Sequence, residues 1–194
     1  MRADATVVLV EGESDRRALA ALARRLGHDL AASGADVVPM GGITNLRHHL
    51  AELDAREAPP RVLGLFDVGE QGHVARMLTA AGRGPADSVD DLEALGFFAC
   101  TLDLEDELIR AVGTAGVERV LDVEGELASF RRFQDQPAQR GGTLHAQLHR
   151  FLGTRAGRKV RYGTLLVDAL DLDRVPKALD LALARATRGP DARR

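Results

Sequence analysis

The chain has 194 residues, one cysteine and a net charge of −3. That length suits one domain, or a domain with a small appendage, and can bury a core without staples. A single cysteine excludes an intramolecular disulfide and points to a cytoplasmic protein, and no stretch approaches the ~20 apolar residues of a membrane span. Cys100, after Phe97-Phe98-Ala99, reads as a small buried hydrophobe. No signal peptide is expected, because only a four-residue apolar run follows the first residues. Charge is unevenly spread. Residues 87–107 hold eight acids and no Lys or Arg, whereas 130–162 hold eight basic residues against Asp135 alone. Such asymmetry suggests two surfaces with different tasks.

In chain order, Val7-Val8-Leu9-Val10 reads as a short buried strand ended by Glu11 and Gly12. Ser14 is expected to cap the helix that follows, whose apolar stripe at 18, 19, 22, 23 and 26 ends at Gly27. Asp36–Met40 reads as a second strand, Gly41-Gly42 as a turn, and Ile43, Leu46, Leu50 and Leu53 as the stripe of a second helix. After Pro59-Pro60, Arg61–Phe66 forms a third strand with Asp67 at its end. A helix over 72–81 and a polar loop to about Asp90 lead to a fourth strand, Gly96–Leu102, with Asp103 and Glu105 at its end. Helices are then predicted over 105–113, 117–136, 143–152, 159–170 and 176–187, and 188–194 as a flexible tail.

This alternation predicts an α/β fold: a parallel sheet of about four strands, helices on both faces, and a helical C-terminal region. Right-handed crossovers bring every strand C-terminus to one edge. Glu11, Asp67 and Asp103 should meet there, where open α/β sheets bind ligands. Glu11, Asp15, Asp67, Glu70, Asp103 and Glu105 are therefore candidate oxygen ligands for a hard cation. Ordinary roles compete for some of them: Asp15, Asp106 and Glu107 also suit first helical turns. Gly153–Tyr162 places four cations and two glycines in ten residues, with Arg155, Arg158 and Arg161 as candidate phosphate contacts. Phe130, Phe133 and Phe151 read as packing residues, with Tyr162 undecided between packing and base stacking. His145 and His149 have helical spacing, but a zinc site would need further ligands. No Walker-type lysine loop is present, so this chain alone is not expected to hydrolyse ATP.

Val10-Glu11-Gly12-Glu13-Ser14-Asp15 resembles the first motif of the Toprim domain, in the version of the overcoming-lysogenization-defect (OLD) family nucleases. The second Toprim motif, Asp-x-Asp, is matched by Asp67 but has Gly69 in the second position; Glu70 follows one residue late. Asp103-Leu104-Glu105 resembles the family's Ser-x-Glu, and Lys159 its late lysine after a glycine loop. The resemblance implies a Toprim (Rossmann-like) core over 5–110 and a helical extension over 111–187 packed on it, without an ATPase domain of its own. It implies Mg²⁺- or Mn²⁺-dependent endonuclease cleavage of DNA. Glu11, Asp67 and Lys159 would be catalytic, and Glu11, Asp15, Asp67, Glu70, Asp103 and Glu105 the metal ligands. Two alternatives stay open: a catalytically degenerate module that binds metal, nucleic acid or a partner ATPase, and an RNA-processing enzyme. A homodimer is compatible with either.

Overall fold

A computed structural model describes residues 5–188; most of the tail expected over 188–194 lies outside them. Strands β1 (Thr6–Val10), β2 (Ala35–Pro39), β3 (Arg61–Asp67) and β4 (Phe97–Cys100) form one sheet in the order β2-β1-β3-β4. All pairings are parallel, with Leu9 opposite Val38 on one side and Gly64 on the other. Helices α1 (Glu13–Arg25), α2 (Leu46–Asp54), α3 (Gln71–Ala80) and α4 (Val89–Ala94) intervene between strands. The chain continues as α5 (Leu104–Val112), α6 (Thr114–Val123), α7 (Leu127–Gln134), α8 (Leu144–Gly153), α9 (Ala156–Ala169) and α10 (Lys177–Thr187).

β1 is buried along its whole length, as a central parallel strand covered on both faces must be. Alternate side chains feed two cores. Val7, Leu9, Phe66 and Phe97 pack with Ile43, Leu46 and Leu50 of the α2 region and Val74 and Leu78 of α3. Val8, Val10, Leu63 and Leu65 pack with α1 and with helices α5 to α10. In that second layer α9 lies along α1. A Cβ on Gly163 would come within 3.4 Å of the Ser14 carbonyl oxygen, so the missing side chain permits the close approach. Arg25 completes the contact by donating to the Val167 and Leu170 carbonyls at the end of α9.

Four local expectations are corrected. Ser14 is buried inside α1; the cap is Gly12, whose N–H donates to the Asp15 carboxylate at 2.8 Å. The expected loop before Asp90 ends in α4, nucleated by a reciprocal Ser88–Asp91 capping box. β4 stops at Cys100, because the Thr101 N–H donates to Glu107 at 2.8 Å instead of extending the ladder. The single helix expected over 117–136 is two, parted at Gly125, whose φ of 70° ends α6. Cys100 is buried as expected. Among the described residues no helix is long and apolar enough to cross a membrane.

Candidate active site

The strand order places a reversal at the centre of the sheet. β1 connects outward to β2, and the chain then returns across β1 to β3, so a crevice opens between the C-terminal ends of β1 and β3. Glu11 leaves β1 and Asp67 ends β3 at this crevice. Glu11, Asp15 and Asp67 line one small cleft over Leu65, Phe66, Cys100 and Leu104. The Glu11 backbone is held by the glycine turn, whose Gly42 N–H donates to its carbonyl at 3.0 Å. That turn is therefore structural rather than a free phosphate cradle. Asp15 has a double role, since it also caps α1.

The other wall is the first turn of α5. Asp103 is its N-cap and accepts the Asp106 N–H at 2.8 Å. Glu105 is 3% exposed. Lys159, in the first turn of α9, brings Nζ to 3.1 Å from Glu105 Oε2, while the buried Oε1 has no hydrogen-bond partner among the described residues. The close packing of α9 on α1 is what delivers this lysine to the acids.

One lysine does not neutralise the cluster. Burial, joined by the charges of Glu11, Asp103 and Asp15, pushes the Asp67 carboxyl up to about 7 against the pull of Lys159. Burial also raises Asp15, opposed by the Gly12 hydrogen bond and Lys159 and reinforced by Glu11 and Asp103. Glu105 is raised by burial against the Lys159 charge. Burial would lower the Lys159 pKa, but Glu105 more than offsets it and the amine stays charged. Asp103 differs. Burial would raise it, yet the hydrogen bond from His149, at 2.7 Å, and the Asp106 N–H hold it below the ordinary carboxylate range.

His149 and its neighbour one turn earlier, His145, are residues whose role sequence reasoning did not find. His145 Nε2 lies 2.6 Å from Asp106, so two His–Asp pairs fasten α8 to the first turn of α5. Their i,i+4 spacing was visible, but their partners are 39 and 46 residues away and carry no local signal. Glu70 sits in the 3₁₀ turn after β3 and makes no ion pair among the described residues. The three arginines expected to touch nucleic acid separate. Arg158 is committed to Glu126 at 2.6 Å and stacks over Phe151, with a side chain 8% exposed. Arg161 pairs with Glu124 and Glu126. Only Arg155 of the three has no ion pair among the described residues and is exposed. Tyr162 is fully buried, so it packs rather than stacks on a base. Phe130, Phe133 and Phe151 cluster with centroids 5.2–6.5 Å apart; Phe130 and Phe151 are buried, and Phe133 is half-buried at the edge of the cluster.

Among the described residues no three His, Cys, Asp or Glu side chains close into a ready metal cage. The donor set nonetheless fits a hard cation. Several carboxylates crowd one crevice, most carry raised pKa values, and the buried Oε1 of Glu105 lacks a hydrogen bond among the described residues. Oxygen donors with unmet negative charge are what Mg²⁺ and related ions take.

A four-stranded parallel sheet in this order, with acids at its central crevice, defines an α/β domain with its candidate site at the switch point of the sheet. Residues 5–67 match the sequence model described as "Overcoming lysogenization defect protein-like, TOPRIM domain". The whole chain shares its fold with the C-terminal region of the Burkholderia pseudomallei OLD protein: TM-score 0.72 and 20% identity, covering 95% of this chain and 97% of that one. The C-terminal region of the Xanthomonas campestris pv. campestris OLD protein is similar, with TM-score 0.69, 23% identity and coverage of 95% and 92%. At these identities the likeness is one of fold. Comparison with curated proteins returns no match.

Proposed function

We propose that the crevice between β1 and β3 is the active centre of a metal-dependent nuclease that hydrolyses DNA phosphodiester bonds. The observation that carries this reading is the gathering of Glu11, Asp15, Asp67 and Glu105 around Lys159 at the switch point of the sheet. Glu11, Asp67 and Glu105 would hold Mg²⁺ or Mn²⁺, with Asp15 beside them. Asp103 is the poorer ligand, because one oxygen caps α5 and the other meets His149. When bound, such an ion activates water and stabilises charge at a phosphate. The chain's own groups do the rest. The Lys159 side chain is 41% exposed and stands beside Glu105 at the wall of the cleft, where it can pair with a phosphate oxygen. Burial and the neighbouring acids raise the Asp67 carboxyl to about 7 in the metal-free site, so it titrates near neutral pH. Leu65, Phe66 and Leu104 floor the cleft and limit its water.

A second reading rests on one residue. Gly69 stands where the Toprim motif has its second acid, which favours a binding module that does not cut. The decisive assay incubates the protein with plasmid, linear duplex, single-stranded DNA and RNA in Mg²⁺ or Mn²⁺, beside Glu11→Gln. The nuclease reading expects cleavage of DNA that falls at least ~100-fold in the variant, as for loss of a group that stabilises the transition state. Binding without cleavage on every substrate would leave the binding module.

A further inference from the structure

Beside the acidic crevice, α7, the end of α8 and the start of α9 enclose a second pocket of about 330 Å³. This lies within the ~300–1,000 Å³ range of small-ligand sites. Arg132, Arg155 and Arg158 line it, together with Phe133, Phe151 and Thr154, and no carboxylate does among the described residues. The three arginines are not equivalent. Arg158 is a wall: it is nearly buried, lies 4.0 Å over the Phe151 ring, and its charge is met by Glu126. Arg132 and Arg155 are exposed and make no ion pair among the described residues. The pocket thus presents two uncompensated cations above an aromatic wall, the combination that takes a phosphate and a base together.

Its position relates it to the crevice. Arg155, the N-cap of α9, and Arg158 line the pocket, and Lys159, the next residue, meets Glu105 at the crevice. On α8, His149 meets Asp103 at the crevice while Phe151, two residues on and turned to another face, lines the pocket. The two sites therefore flank the first turn of α9. We infer that this pocket holds an unpaired nucleotide adjoining the phosphate presented to Lys159, with its phosphate on Arg132 and Arg155 and its base on Phe133. The substrate would then be single-stranded nucleic acid, or a duplex opened locally. This inference rests on the proposed nuclease reading for the placing of the phosphate at Lys159, but its test needs no cleavage.

Binding is measured by fluorescence anisotropy in EDTA, with labelled single-stranded DNA, single-stranded RNA of the same sequence, and blunt duplex DNA, over a salt series. Arg132→Ala and Arg155→Ala should each weaken single-strand binding about five- to tenfold and flatten the log–log salt slope by ~0.7. Phe133→Leu should weaken it about tenfold with the slope unchanged, and Phe133→Tyr should restore it, because stacking is insensitive to counterions. Arg161→Ala, whose charge is already paired, should change neither. Melting curves run alongside show that each variant is folded. Comparison of the DNA and RNA arms identifies which strand the pocket prefers. Wild-type affinity and slope in both arginine variants would overturn the inference. So would a silent Phe133→Leu, or equal losses on blunt duplex. If the arginine and phenylalanine variants behave as expected while no substrate is cut, the pocket stands and the nuclease reading falls. Cleavage with unaffected binding gives the reverse.

Discussion

Asp67→Asn is the most informative single change in the acidic crevice. Asp67 ends β3 with a carboxyl that makes no hydrogen bond among the described residues, so an amide there loses no partner. What it removes is a charge held against burial and against Glu11, Asp103 and Asp15. Holding an aspartate at about 7 rather than its ordinary 3.8 penalises the ionised form. The ceiling is about 4 kcal/mol, and partial solvent access reduces it to about 1–2 kcal/mol. The sign follows from proton linkage. The folded protein binds more protons than the unfolded chain between pH 4 and 7, so stability falls as pH rises through that window and levels off above it. In EDTA, Asp67→Asn should match the parent near pH 4 and melt about 3–6 °C higher at pH 8, at the ~2–4 °C per kcal/mol expected for this size. Millimolar Mn²⁺ should reverse the order, raising the parent by linkage and leaving the variant unmoved. Differential scanning calorimetry across pH, with and without Mn²⁺, reads both effects. A variant that melts below the parent at pH 8 in EDTA, or that keeps the full Mn²⁺ shift, would refute the picture of a charge-crowded cation site.

Lys159→Ala should lower cleavage about 10²–10³-fold while leaving DNA affinity within twofold; it also strands the buried Glu105 carboxylate, so calorimetry should show a loss of about 1–2 kcal/mol, discounted for the exposed lysine. A Cβ on Gly69 would have no heavy atom within 4 Å, and its φ lies outside the left-handed region. Gly69→Asp should therefore fold normally and strengthen Mn²⁺ binding in titration calorimetry; a gain of cleavage confined to this variant would mark the natural chain as a binder. Arg158→Ala should cost about 2–3 kcal/mol in urea denaturation, since it strips a nearly buried ion pair and a cation–aromatic stack. Arg161→Ala, with its exposed side chain, should cost under ~1 kcal/mol.

The sheet and its acids were legible because each is written locally. Val7–Val10 and Val62–Phe66 are uninterrupted apolar runs ended by a carboxylate, and the helices between them force parallel pairing. What stayed hidden depends on distant partners or on short signals. α4 is six residues long, and its only announcement is Ser88 with Asp91. The break between α6 and α7 rests on the backbone of Gly125, inside a stretch whose periodicity suits a helix on both sides. Counting arginines exposed a basic segment but not which charges were spent, because Glu124 and Glu126 lie more than 30 residues before Arg158 and Arg161. The same limit concealed the His–Asp fastening of α8 to α5.

The packing of α9 on α1 has a consequence for the order in which the molecule matures. During synthesis the acids at positions 11, 15, 67, 103 and 105 leave the ribosome well before Lys159, and before the apolar face of α9 that covers α1 through Leu166 and Val167. A nascent chain ending after α5 therefore holds a complete strand set with a self-repelling edge and an uncovered helix. Such a fragment should stay loosely organised until the last third of the chain arrives, so folding and assembly of the crevice become one event. The lysine that faces the acids arrives with that same last third, as part of α9.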